Sequence, residues 1–237
     1  MRKLTIEQEK RIKSYLSNIG LSFDLQLEIY DHFSLQIEDN MENGNDFESA
    51  FEMTKIAWKP ELRMVKMRLF SSIRIARIQK KIILKSARWI YFKSFIITGG
   101  IFLLFVLLSK AISVEIFKLI FSIYYYALLL IIVIYMVLNF QLFLFSRKFK
   151  NFSISSGQTH LSMVITSLVF IFLQVFDAEL QGERFYVSVL NFWSENAKYS
   201  FLVGFIVYNV VGYAGLYAIY NFKKEFEKIK PFLNSLK

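Results

Sequence analysis

Leu119–Ser146 reads LIFSIYYYALLLIIVIYMVLNFQLFLFS, a stretch without a single Asp, Glu, Lys or Arg. A hydrocarbon layer of about 30 Å is crossed by roughly 17–25 helical residues. With no water there, the backbone must pair its own N–H and C=O groups, which a helix does and a loop or open sheet does not. The stretch therefore predicts a membrane-spanning helix. Three more uncharged apolar runs accompany it, Ser94–Ser109, Leu161–Phe176 and Tyr199–Phe222. Together they predict an all-α protein with a four-helix transmembrane bundle over residues 94–222. The third run is the shortest, and it must extend back through Phe152–His160 to cross.

Composition fits that class. Of 237 residues, 55% are hydrophobic and 18% aromatic, more than a soluble domain with this many uninterrupted runs would carry. Cysteine is absent, which excludes disulfides, thiolate metal sites and thiol nucleophiles. The two histidines, His32 and His160, fall in different regions, so they cannot jointly ligate a haem. The opening MRKLTIEQEK lacks the apolar core of a cleaved signal peptide, so targeting is expected to rest on the first span.

The net charge of +10 is unevenly placed. Nine acids and no Lys or Arg lie between Tyr15 and Met53; twelve bases and the single acid Glu61 lie between Thr54 and Lys93. The basic block abuts the first span, where Lys and Arg meet anionic headgroups and hold a segment on the cytoplasmic side. This is a topology signal, and direct nucleic-acid binding is not expected. Arg147, Lys148 and Lys150 follow the second span and Lys223, Lys224, Lys228, Lys230 and Lys237 follow the fourth, whereas Asp177, Glu179, Glu183 and Glu195 lie after the third. The positive-inside rule then puts both termini in the cytoplasm. Trp89, Tyr91 and Phe92 before the first span, and Phe192, Trp193 and Tyr199 before the fourth, suit the headgroup zone.

Residues 1–59 predict a cytoplasmic helical module. Thr5 and Gln8 have the spacing of a capping box, opening a helix that runs to about Asn18 and stops at Gly20. Ser22 or Asp24 opens a second helix, closed by Asn43-Gly44, with Ile29, Phe33 and Ile37 along one face. Asp46 caps a third, whose apolar face includes Phe47, Ala50, Phe51 and Trp58. So few residues bury only a small core, so the module is expected to dock on something, its own linker helix being one choice.

The run Glu28-Ile29-Tyr30-Asp31-His32-Phe33, followed by acids and then Asp46-Phe47-Glu48-Ser49-Ala50-Phe51, resembles the small helical HAAS-type domain found at the N-terminus of bacterial membrane proteins. Trp58-Lys59-Pro60 stands where that family usually has Gly-Pro. The resemblance covers about residues 3–60. It implies a regulatory or signalling module joined to membrane helices, and, with the Lys, Ile, Phe and Asn richness, a bacterial inner membrane.

Residues 60–93 predict one long basic helix, with Pro60 in its first turn. Lys66, Arg74, Arg77, Lys81, Lys85 and Arg88 recur at helical spacing, with Leu62, Val65, Leu69, Ile73, Ile78 and Ile82 supplying apolar positions. Contact with anionic lipid, a solvated connector, or an acidic module folded back on this strip all fit the pattern. The tail, 223–237, is basic.

Candidate interaction residues are Glu28, Asp31 and His32 in the module and Arg74, Arg77, Lys81 and Lys85 in the connector. Glu28 and His32 share a helix face, but one His with carboxylates is a weak ligand set, so no metal or other cofactor is assigned. Asp31 and His32 are expected to fix their helix against its neighbours. Within the spans the polar residues of note are Asn139, His160 and Asn209, with Asn139 and His160 at a depth where they could pair. Gly204, Gly212, Ala214, Gly215 and Ala218 make the fourth span the expected packing helix. Gly99-Gly100 suits a kink or close crossing in the first, and Tyr124-Tyr125-Tyr126 reads as an interfacial belt.

No Asp, Glu, Lys or Arg interrupts the cores of the first, second and fourth runs, which argues against an ion-coupled pump. No HExxH, GxSxG, Walker or GxGxxG motif occurs, so no enzyme is expected. Two readings remain. One is a regulatory membrane protein whose module meets a soluble partner. The other is a small transporter working as a homo-oligomer, with Asn139, His160 and Asn209 along a polar path.

Overall fold

The computed structural model describes residues 3–67, 74–140, 157–193 and 199–235. Among them are eight helices and one two-stranded hairpin. They divide into two compact units, the first reaching Ser86 and the second holding most of the chain from Ala87 onward.

In the first unit, α1 (Ile6–Asn18), α2 (Phe23–Glu42) and α3 (Phe47–Leu62) begin and end where local chemistry puts them. Thr5 accepts from the Gln8 amide while the Gln8 side chain accepts from the Thr5 amide, so two orphan donors are satisfied together. Gly20 and Gly44 take φ of 73° and 96°, left-handed values that close α1 and α2 at little cost only with glycine. Asp46 accepts from the Ser49 amide at 2.9 Å. The Ser49 hydroxyl and amide together hold the Asp46 carboxyl below the usual carboxylate range.

Leu25, Ile29, Phe33 and Ile37 line the inner face of α2 and are all but sealed. Ile12 and Leu16 of α1 and Ala50 and Phe51 of α3 close over them. Phe33 lies edge-on to Phe51 at 6.0 Å, and the Trp58 indole N–H donates to Gln36 at 2.8 Å. Burying one such side chain stabilises the unit by about 1.5–3 kcal/mol.

The connector departs from the expected single helix. Pro60 lies inside α3, near its end, and opens no new helix. Arg63 is extended (ψ 131°), and the chain forms a hairpin, β1 (Met64–Lys66) with β2 (Arg74–Ala76), in the register Met64↔Ala76 and Lys66↔Arg74. The Arg77 amide donates to the Arg63 carbonyl at 3.0 Å, and α4 (Arg77–Ala111) begins there. Leu69 and Ile73 fall outside the described residues. The hairpin delivers Ala76 into the module's core, and Ile78 and Ile82 pack against it. The expected docking of the module on its linker is met by the first turns of α4, so the module's core extends past residue 59.

The second unit contains the later part of α4, then α5 (Val114–Leu138), α6 (Gly157–Phe176), α7 (Ala178–Leu190) and α8 (Tyr199–Ser235). Three of these helices, α4, α5 and α8, are long and apolar enough to cross a membrane; α6 and α7 together make a fourth candidate, bent by 82° at their break. With 20 residues, α6 rises about 30 Å by itself. The segment expected as a loop after the third span is therefore the helix α7. Its Ala178, Gly182, Phe185 and Val189 turn inward while Glu179, Glu183 and Arg184 stay exposed, an amphipathic pattern. The expected loop 110–118 shrinks to a turn at Ile112–Ser113, and the expected tail continues α8 as helix to Ser235. The expected end of the second span, 141–146, lies outside the described residues.

Candidate functional site

The second unit is organised around Asn209, near the middle of the apolar run Tyr199–Phe222 of α8 and fully buried. An amide there cannot be left dry, because an unpaired polar group in an apolar interior costs several kcal/mol. Its oxygen accepts from the Tyr124 hydroxyl. Its nitrogen donates to the Tyr125 hydroxyl and to the Phe205 carbonyl, each at 2.8 Å. Tyr124 and Tyr213 hydroxyls are 3.2 Å apart. Since Tyr124 gives its one proton to Asn209, Tyr213 is the donor in that contact. Tyr124 and Tyr125 thus turn inward, and of the triplet expected as an interfacial belt only Tyr126 is exposed.

An aromatic layer seals this network on one side. Phe105 of α4, Phe117 and Phe121 of α5, Phe185 of α7 and Phe205 of α8 pack together, with Phe185 and Phe205 rings 4.9 Å apart. Gly182 lets α7 approach α5: a Cβ there would meet the Phe121 ring at 3.2 Å. The Tyr186 hydroxyl donates to the Ile112 carbonyl at 3.2 Å, and Lys118 pairs with Glu183 at 3.4 Å, so α7 is pinned to the start of α5. Beyond the aromatic layer lies a cavity of about 280 Å³, whose polar lining comes from Gln174, Gln181, Ser200 and Tyr208.

The packing role expected of α8 is met in part. A Cβ on Gly215 would collide with Ser167 of α6, and one on Gly212 would come within 2.7 Å of Ile171. Ala214 and Ala218 are buried against Ile90 and Val164. Gly204 has only Tyr208 of its own helix near it. Among the described residues nothing lies within 4 Å of a Cβ placed on Gly99 or Gly100, so none of them crosses closely there. Asn139 donates to the Tyr135 carbonyl of its own helix at 2.7 Å. The His160 side chain lies outside the described residues, and so does any pairing of it with Asn139.

On the first unit, Glu28, Asp31 and His32 are all exposed on α2. Among the described residues none of them is held by a hydrogen bond or ion pair, so Asp31 and His32 do not brace the helix as expected. Arg74, Arg77, Lys81 and Lys85 are exposed as well. Of these, Lys81 pairs with Glu61 at 2.6 Å. The acids between residues 24 and 52 that form described ion pairs do so inside the module, Glu48 with Arg11 and Glu52 with Lys55. Neither acid reaches the basic strip.

Sequence reasoning missed Tyr124, Tyr125 and Tyr213 as partners of Asn209. A signal existed, since Phe117, Phe121, Tyr125, Leu128 and Ile132 fall at helical spacing on one face. Comparison with family models, curated proteins and solved structures finds no match to this chain.

Proposed function

We propose that the chain is a non-enzymatic, regulatory membrane protein, with cytoplasmic termini, whose N-terminal module contacts a soluble partner. The observation that carries this reading is one patch of α2 whose side chains have no described partner. Glu28, Asp31 and His32 stand exposed on a helix whose opposite face is sealed into a core. A soluble partner can dock on this patch without disturbing the core beneath it. Its resemblance to HAAS-type domains of bacterial inner-membrane proteins points the same way. Because Ala76, Ile78 and Ile82 complete the core, events at α2 can be felt at the first turns of α4.

The oligomeric transporter reading finds less support. Three of the four hydrogen bonds open to the Asn209 amide go to Tyr124, Tyr125 and Phe205, which suits packing better than a passage.

The test is affinity capture from solubilised native membranes, comparing wild type with Glu28→Lys/Asp31→Lys. This surface change spares the core, whereas removal of residues 1–58 would uncover Leu62, Ala76 and Ile78. A soluble protein captured by wild type and lost with the double variant is the expected result. Identical capture by both would sink the proposal.

A further inference from the structure

Beside the Asn209 network, with which it shares Tyr213, α4, α5 and α8 leave an open groove of about 440 Å³ between them. Ile97, Ile131, Tyr135, Tyr213, Leu216 and Tyr220 line it, so its walls are almost wholly apolar. Tyr217 completes the lining, and the Lys93 ammonium lies 5.8 Å from the centre of its ring. Residues four apart on a helix lie one above the other. Lys93 therefore sits one turn from Ile97 on α4, and Lys224 one turn from Tyr220 on α8. Both are exposed, and both fall toward the end of the groove where α5 closes at Asn139. An apolar trough with cations at one end has the polarity of an anionic amphiphile.

We infer that this groove is a binding site for an anionic phospholipid, its acyl chain in the trough and its phosphate beside Lys93 and Lys224. The inference rests on the membrane placement of α4, α5 and α8 and not on the role of the module. The main competing occupant is a second copy of this chain. Copies in one membrane share an orientation, so their Lys93 and Lys224 side chains would meet at the same depth and repel. An anionic headgroup neutralises them instead. Lys223, beside Lys224, faces Glu227 at 4.0 Å and is already partly compensated.

The experiment is native mass spectrometry of the full chain released from micelles containing equal phosphatidylglycerol and phosphatidylcholine. Wild type is expected to retain phosphatidylglycerol preferentially. Each of Lys93→Gln and Lys224→Gln should lower that preference about fivefold, the worth of ~1 kcal/mol per basic residue near a surface. Lys93→Arg should keep it, and so should Lys110→Gln at the other end of α4. Leu216→Trp, which fills the trough, should abolish retention of either lipid. Equal retention of the two lipids by wild type, or a preference unmoved by Lys93→Gln, would overturn the inference. So would a dimer that Leu216→Trp dissociates, since the groove would then hold a second copy.

Discussion

A methyl group added at Gly215 would lie 2.5 Å from the Cβ of Ser167, closer still to its hydroxyl, and 3.7 Å from the Met163 carbonyl. Real Cβ contacts do not fall below 3.0 Å, so something must move. Ser167 cannot swing clear, because its own Cβ is part of the clash and it is fully buried, with its hydroxyl donating to the Val164 carbonyl at 3.1 Å. The two helices must therefore separate. Overpacking costs about 1–3 kcal/mol, and a clash with a near-backbone atom belongs at the upper end. Replacing Gly by Ala within a helix returns about 1 kcal/mol. Gly215→Ala should then destabilise by about 2 kcal/mol, or ~4–8 °C in melting temperature for a chain of this size.

Ser167→Gly removes both clashing atoms. In the double variant Ser167→Gly/Gly215→Ala the propensity lost at 167 largely offsets that gained at 215, and the collision is gone. The double variant should melt closer to wild type than Gly215→Ala alone, with a coupling of about 3 kcal/mol between the sites, the size of the clash removed. The assay is thermal loss of the monodisperse peak in detergent, repeated in lipid nanodiscs. Wild-type melting of Gly215→Ala, or strictly additive effects in the double variant, would refute the close crossing of α6 and α8.

Asn209→Leu strands the Tyr124 hydroxyl without its acceptor and the Tyr125 hydroxyl without its donor, so two interhelical bonds of ~0.6–1.7 kcal/mol are lost. The same melting assay should register a total loss of roughly 1–3 kcal/mol, and Tyr125→Phe about half of it; an unchanged Asn209→Leu would mean that the network contributes nothing. Asp46, whose folded pKa is depressed, stabilises the first unit above the carboxylate's ordinary pKa, and the contribution is lost as pH falls below about 4 through the lowered value. Circular dichroism melts of wild type and Asp46→Ala should therefore differ at pH 6 and converge toward pH 3, and a gap that widens with acid would contradict the cap.

The helix ends of the first unit were legible because each is settled by groups a few residues apart. Thr5 reads Gln8, Asp46 reads Ser49, and Gly20 and Gly44 supply the left-handed residue that ends a helix. The connector was not legible. Leu62, Val65, Ile73 and Ile78 fit a helical period, but a short apolar run fits more than one secondary structure. What breaks the helix is long-range: the hairpin turns the chain so that Ala76 fills a gap in a core built by residues 12–62. Similarly, α7 was hidden by its charges, since Glu179, Glu183 and Arg184 made the segment look like a loop. Only the spacing of Ala178, Gly182, Phe185 and Val189 betrays a helix with one face to bury.

The site in the second unit was half visible, and helical phase explains which half. On α8, Leu202, Phe205, Asn209, Gly212, Gly215 and Ile219 recur at intervals of three and four and are all buried. A lone Asn in phase with small residues can only face protein, since the opposite face meets lipid with no hydrogen-bonding partner to offer. Asn209 and the glycines were therefore readable together as one inward stripe. On α5 the three consecutive tyrosines are spread around the helix at 100° steps, so their composition points in every direction at once. Only the phase set by Phe117 and Phe121 selects Tyr125 as the inward ring, with Tyr124 beside it at the edge that α8 covers. Composition marks the depth of an aromatic residue in a membrane, whereas its partners follow from phase. The two criteria disagree at Tyr124 and Tyr125 because these residues serve the packing of the bundle and not its border.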